Sequence, residues 1–416
     1  MTSSEIKTLD ASHVMQTYGR FDVAIERGEG AKLYSPEGRE YVDFTSGIGV
    51  NSIGYGNTAW AEAIYAQALK LGHISNLFYT EPYARLAGEL TRRSGMANVF
   101  FANAGGEANE GLIKLARKYS RDKYGDGRST ILTLRQSFHG RTVTTLAATG
   151  QEQFHRHFFP FTEGFKHIPA NDIKALEAAL GASAAKAASF DGTAALAPEE
   201  ADGGVCAVMV ELIQGEGGVL PLDRKYVTAL RRICDERDVL FLADEVQTGI
   251  GRTGKLFAYQ NYGVMPDAAT FAKGIAGGLP MGGVLASEKC ASVLGAGDHA
   301  TTFGGNPIAA AAALEVLSQL SDGALDEVAR KGEYIKGAIA GWGLPAVGEI
   351  RGMGLMLGVS VAGASLPKEL ASRCIENGLL ILTAGSDALR MLPPLTISYE
   401  EIDRGLEILK GVLETA

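Results

Sequence analysis

Between about residues 98 and 290 the chain alternates nearly continuous apolar runs with stretches of helical spacing. Val205–Leu212 (VCAVMVEL) and Val239–Ala243 (VLFLA) carry scarcely a polar side chain. Strands read this way when helices cover both faces of a parallel sheet. Tyr226–Asp238, between them, has helical spacing, and strand–helix–strand is the unit of an open α/β sheet. Ala97–Ala102 predicts another strand, followed by a glycine turn and a helix over Glu107–Tyr119, and Thr130–Leu134 predicts a third. Residues 20–55 hold short β-like pieces, Lys32–Tyr34 and Tyr41–Phe44, and an alanine-rich helix follows Pro307. The pattern predicts an α/β protein: a large domain with a mostly parallel central sheet, and a smaller α+β domain made from both termini. Residues 61–306 form the large domain in this reading, with 1–60 and 307–416 forming the small one. Residues 181–204 are rich in Ala and Gly without a period and read as a surface insertion.

Composition narrows the function classes. A chain of 416 residues exceeds one ordinary core, which supports two domains. Hydrophobic residues at 46% and charged residues at 21% exclude a disordered chain. The formal charge of −9, without a basic stripe, argues against a nucleic-acid partner. Cys206, Cys234, Cys290 and Cys374 form no C-x-x-C motif and read as free thiols of a cytoplasmic protein. The polar start MTSSEIKTLDASH lacks the apolar stretch of a signal peptide, and no apolar run of membrane-spanning length occurs.

Two motifs mislead. Gly249–Gly254 (GIGRTG) satisfies G-x-G-x-x-G, but Leu256 stands where a phosphate loop needs Ser or Thr after its lysine. The segment that follows breaks at Gly263 and Pro266, before the long helix of a dinucleotide site. His155-x-His157 has no carboxylate or cysteine at ligand spacing, so no metal is expected.

Three other features fit one chemistry. Val239–Gln247 (VLFLADEVQ) ends a buried strand in Asp244-Glu245, and open α/β sheets bind ligands beyond the carboxyl ends of their strands. Standing alone, this acid is equally a helix cap or a surface turn. Lys273 follows an apolar stretch and precedes the glycine-rich loop Gly274–Gly283. A desolvated lysine shifts toward the neutral amine, a nucleophile for aldehydes, although a lone lysine is more often simply solvated. Asn103–Glu110 (NAGGEANE) sets small residues before a helix. Glycines let the backbone approach an anion and first-turn amides bind phosphate, where the plain alternative is an ordinary helix start. Pyridoxal 5'-phosphate (PLP) needs all three: an attachment lysine, an acid against its pyridine nitrogen and a phosphate cup.

The blocks FANAGGEANE, SFHGRT, ELIQGEGG, LADEVQTGIGRTG, FAKGIAGGLPMGG and TTFGGNP resemble those of the class III (ornithine-type) aminotransferases, of PLP fold type I. The resemblance covers nearly the whole chain apart from the first residues and 181–204. It implies that Lys273 holds PLP covalently and shuttles the proton, that Asp244 pairs with the pyridine nitrogen, and that Gln247 reaches the phenolic oxygen. Val246 and Phe138 would sandwich the ring, and Gly105 and Gly106 would give backbone amides to the phosphate. Thr302 would contact the phosphate of the neighbouring subunit, which implies a homodimer with shared active sites. Arg141 would bind the substrate carboxylate farthest from the reacting amine, a task its planar fork suits. Arg390 would bind the carboxylate beside the keto group of 2-oxoglutarate. Glu216 would be a gate, pairing with Arg390 while the amino donor reacts. For both arginines the alternative is structural ion pairing. Three positions depart from the family pattern: Ala104 replaces Ser, Gly106 stands where Ala or Thr is commoner, and Leu212 replaces Pro.

Within the family, HISNLFYTEPYARLA and TGQEQF…TEGF resemble the subgroup that acts on acetylated ornithine. That implies N-acetylornithine and 2-oxoglutarate as substrates, with glutamate as a product, in arginine biosynthesis. Ile48 stands where the ornithine δ-aminotransferases carry a tyrosine for the free α-amino group, and an aliphatic side chain leaves room for an acylated nitrogen. Tyr18 and Asn76 are further candidates for the pocket wall. The alternatives are other ω-amine donors (succinylornithine, succinyl-diaminopimelate, ornithine or 4-aminobutyrate) and a PLP aminomutase, which needs no external keto acid. A PLP-dependent regulator is a third, for which no DNA-binding segment is spare.

Overall fold

The computed structural model describes residues 1–181, 204–363 and 366–416. Nearly all of the expected insertion 181–204 lies outside the described residues.

A seven-stranded sheet forms the centre. Its strands run in the order Asn98–Ala102, Gly282–Ala286, Ala268–Phe271, Leu240–Asp244, Val205–Val210, Thr130–Leu134 and Phe165–Ile168. Gly282–Ala286 is antiparallel to both neighbours and every other pairing is parallel. Every residue of Thr130–Leu134, Val205–Val210 and Leu240–Asp244 is buried, which is why these runs lack a polar–apolar alternation and are apolar apart from Thr130, Thr133 and Asp244. Leu240 and Leu242 join one apolar cluster with Leu112 and Ala116 of the helix Gly105–Tyr124. Phe241 and Ala243 join a second cluster with Val227 and Leu230 of the helix Arg224–Arg237. The period of two thus serves two cores, one on each face.

The remaining strands form smaller sheets. Val347–Met353, Met356–Val361, Ala388–Met391 and Leu382–Ala384 make an antiparallel sheet. Arg27–Glu29, Lys32–Tyr34 and Glu40–Asp43 form a meander whose last strand pairs in parallel with Leu379–Leu380. The two ends of the chain therefore share one sheet.

Several element ends differ from the sequence reading. The helix expected over Glu107–Tyr119 begins at Gly105, where the missing Cβ lets the first turn pass Val246, and runs to Tyr124. The strand expected over Val205–Leu212 ends at Val210, where Glu211 turns its carboxylate to the backbone amides of Phe138 and Gly215. After the GIGRTG stretch only a short helix forms, Ala258–Tyr262, closed by left-handed Gly263. Among the described residues no single helix is long and apolar enough to cross a membrane.

Candidate active site

Asp244 ends its strand at the carboxyl edge of the sheet and is 3% exposed. Parallel register sets it against Thr270 of the next strand, and Lys273 follows three positions later. Thr270 Oγ1 lies 3.4 Å from Asp244 Oδ1, which also accepts the Val246 amide at 3.0 Å. On the other oxygen, Asn109 Nδ2 donates at 2.8 Å and His139 Nδ1 lies at 2.8 Å. Three side chains from three separate elements therefore fix one carboxylate. Sequence reasoning missed Asn109, His139 and Thr270. Asn109 carries a usable signal, since it is a polar residue on the apolar face of its helix, beside Ala108 and Leu112.

Lys273 sits in the left-handed region at φ 47, at the start of the turn Lys273–Ala276. Its half-buried amine has no hydrogen-bond or ion-pair partner among the described residues. Burial lowers its pKa from the ordinary lysine value, and the Arg390 charge adds to this against the pull of Glu216. The Gly105–Tyr124 helix starts opposite, with Ala104 at its N-cap and no side-chain cap bond, so its first amides are left open. A Cβ on Gly105 would stand 2.6 Å from Val246 Cγ1, so only glycine permits this approach. Gly106 packs near Thr142. An unpartnered amine, an anchored carboxylate and an uncapped helix start match the three attachment points that PLP requires.

Glu216 and Arg390 form the second half of the site. Arg390 Nη1 donates to Glu216 Oε1 at 2.5 Å and to Gln247 Oε1 at 3.3 Å. Gln247 Nε2 donates to the same Glu216 oxygen at 3.4 Å, so its amide is engaged at this ion pair. Burial raises the Glu216 carboxyl, but the charge and hydrogen bond of Arg390 outweigh it and hold the group below its ordinary value. Arg390 is 3% exposed, and its Nε has no partner. Arg141 is exposed, with its guanidinium 4.4 Å from the Phe154 ring centroid and 5.7 Å from that of Phe138. It has no carboxylate partner among the described residues.

Glu211, also missed in the sequence, joins these parts. It accepts the Phe138 amide at 2.8 Å and the Gly215 amide at 3.1 Å, tying the loop of Phe138 and Arg141 to the loop of Glu216. Asn76 donates to the carbonyls of Gly304 at 2.9 Å and Thr301 at 3.4 Å, and so braces the segment that carries exposed Thr302. Tyr18 is exposed with Arg20 over its ring, and Ile48 is 43% exposed. The structure brings neither Tyr18 nor Thr302 into hydrogen-bond contact with the other candidates.

Glu245, behind Asp244, is fully buried and accepts from Thr248 Oγ1 at 2.5 Å and from the amides of Ala258 at 2.9 Å and Tyr259 at 2.8 Å. Burial pushes its carboxyl up to about 7 from 4.5. The folded chain then holds this proton more tightly than the unfolded chain. Its contribution to stability is complete below about pH 4.5 and is lost as the pH rises through about 7. Melting temperature measured across this window should therefore fall with rising pH, and Glu245→Gln should flatten that limb. Glu211, also pushed up to about 7 by burial, leaves part of the slope in the variant.

The family described as Aminotransferase class-III matches residues 14–413. The chain is 50% identical over 413 residues to acetylornithine aminotransferase of Haemophilus ducreyi, covering 99% of both chains. It is 41% identical to the protein of that name in Methanocaldococcus jannaschii, covering 97% of this chain and 96% of the other. Among solved structures, ornithine aminotransferase of Toxoplasma gondii ME49 superposes with a TM-score of 0.91 at 30% identity, over 100% of this chain and 96% of that one. N-acetylornithine aminotransferase of Stenotrophomonas maltophilia K279a superposes with a TM-score of 0.80 at 35% identity, over 98% of each.

Proposed function

The chain belongs to the class III aminotransferases, PLP-dependent enzymes, and we propose that it transfers the δ-amino group of N-acetylornithine to 2-oxoglutarate. The products are N-acetylglutamate 5-semialdehyde and glutamate. The observation that carries this reading is full-length similarity to proteins named acetylornithine aminotransferase. The aliphatic side chain of Ile48 agrees with it, because it offers no acceptor to a free ammonium group.

When bound, PLP supplies an electron sink for the carbon that exchanges its amino group. Lys273 holds the cofactor, and its amine, lowered by burial, moves the proton at the substrate's amino-bearing carbon. Asp244 would present its carboxyl group to the pyridine nitrogen, oriented by Asn109, His139 and Thr270. Phe138 and Val246 bound the ring, and Gly105 and Gly106 present amides to the phosphate. Arg141 binds the carboxylate distant from the reacting carbon in both substrates, its fork free of any carboxylate among the described residues. While the amino donor reacts, Glu216 covers Arg390, as it does here. For 2-oxoglutarate it swings aside and Arg390 receives the carboxylate beside the keto group.

Exposed Leu77, Phe78, Tyr79 and Phe303 are apolar surface that fits the interface of a homodimer, where Thr302 would reach the neighbouring site. Four free, buried cysteines fit a reducing compartment such as the cytoplasm.

Steady-state rates on acetylornithine, succinylornithine, ornithine and 4-aminobutyrate test the substrate. The highest kcat/KM is expected for acetylornithine, and preference for ornithine or 4-aminobutyrate would refute the assignment. The gate has its own test. In Glu216→Ala no carboxylate competes for Arg390 and only the neutral Gln247 amide stays against it, so KM for 2-oxoglutarate should fall by about tenfold, the scale of one charged hydrogen bond. Donor selectivity should fall with it. Separate half-reaction kinetics read both effects.

A further inference from the structure

Four consecutive residues, Ser46 (φ 42), Gly47 (φ 65), Ile48 (φ 65) and Gly49 (φ 76), hold the left-handed conformation. L-residues visit it singly and β-branched residues rarely, so a run of four that includes isoleucine persists only where its surroundings impose it. The surroundings are specific. Asp43, fully buried, accepts the amides of Thr45 at 2.7 Å and Ser46 at 2.9 Å and the Tyr55 hydroxyl at 2.8 Å. Ser46 Oγ donates to the Leu392 carbonyl at 2.5 Å and accepts from Arg252 Nη2 at 3.3 Å. Arg252 Nη1 donates to the carbonyls of Leu355 at 3.0 Å and Pro393 at 2.5 Å.

Arg252 is 2% exposed and forms no ion pair among the described residues. Burial pushes its guanidinium down to about 9, with the nearby Asp43 charge opposing. A buried cation satisfied by carbonyls and one hydroxyl is an expensive way to fill space. Its planar fork can serve Ser46 with one arm and the 355 and 393 carbonyls with the other, as an ammonium cannot. The far end of the turn meets the cofactor lysine's segment: Ser52 Oγ donates to the Gly274 carbonyl at 3.2 Å. A Cβ on Gly274 would lie 2.2 Å from that hydroxyl, so the approach depends on glycine.

We infer that Arg252 is a positioning residue for the amino-donor pocket. Its buried guanidinium, acting through Ser46 and the Leu355 and Pro393 carbonyls, locks Ser46–Gly49 in the left-handed conformation and so sets where Ile48 stands. The consequence for the donor rests on the proposed place of Ile48 in the pocket; the clamp does not. The arginine that sits in the misleading GIGRTG motif thus has a task unrelated to phosphate.

The test uses the PLP-loaded enzyme and two variants, Arg252→Lys and the milder Ser46→Ala, which removes only the hydroxyl hub. Hydrogen exchange is followed by mass spectrometry in the peptide spanning residues 44–52. It contains the amides of Gly49, Val50 and Asn51, which bond to Thr45 and Ser46 carbonyls. Both variants should exchange there about tenfold faster, the effect of losing one hydrogen bond from a charged group, while the strand Leu240–Asp244 keeps its protection. KM for the amino donor should rise more than KM for 2-oxoglutarate. Unchanged exchange at the turn in Ser46→Ala and in Arg252→Lys overturns the clamp, and so does an equal loss of protection throughout the protein. Faster exchange at the turn with unchanged donor KM upholds the clamp and overturns the pocket assignment of Ile48.

Discussion

Lys273→Ala is expected to lower kcat by about 10⁴-fold or more, because under the proposed mechanism it removes both the attachment of the cofactor and the base at the reacting carbon. The fold should survive the change. The amine has no protein partner among the described residues, and its burial already disfavours the charged form, so truncation removes no hydrogen bond from the core. Circular dichroism and melting temperature should stay near those of the unaltered protein. The near-UV to visible absorption of the attached cofactor should vanish. Retention of full turnover would remove Lys273 from the chemistry.

Asp244→Asn is expected to lower kcat by about 10²–10³-fold, the range seen when a preorganised electrostatic partner is lost. The change keeps shape and removes charge. It also turns an amide NH₂ toward a carboxylate site built for donors. Asn109 Nδ2 donates to it, and His139 Nδ1 lies at hydrogen-bond distance. A buried donor left unpaired costs about 1–3 kcal/mol, so a modest drop in melting temperature should accompany the kinetic loss. Asn109→Ala gives a useful comparison, since it spares the charge and disturbs only its orientation. Its kinetic loss should be clearly smaller. Equal losses in the two variants would mean that geometry, not charge, is what Asp244 provides.

Much of this site could be read before the structure. Asp244 and Lys273 each follow an apolar run, and buried strands end where an open sheet binds ligands. The helix after Asn103 was visible from its small residues, although its true start at Gly105 was not, because glycine carries no apolar signal. Arg141, Arg390 and Glu216 were legible only through resemblance, since nothing in their local spacing sets them apart from surface charges. Asn109, His139, Thr270 and Glu211 were not read at all. Their roles depend on register and on contacts over long sequence separations. Asp244 meets Thr270 because two parallel strands align there, and it meets His139 across 105 positions.

Apolar patterning alone was enough to define the α/β class and four of the seven strands of the central sheet, because each buried strand must be apolar along its own length wherever helices cover both faces. It also sufficed to place an acid and a lysine at strand ends. Which groups surround them was decided by packing. The Glu216–Arg390 pair, the engagement of Gln247 in it and the left-handed turn under Ile48 each need partners from distant segments held at hydrogen-bond distance. A hydrogen bond constrains atoms in space, not their separation along the chain, so these arrangements exist only once the sheet and its helices have closed around them.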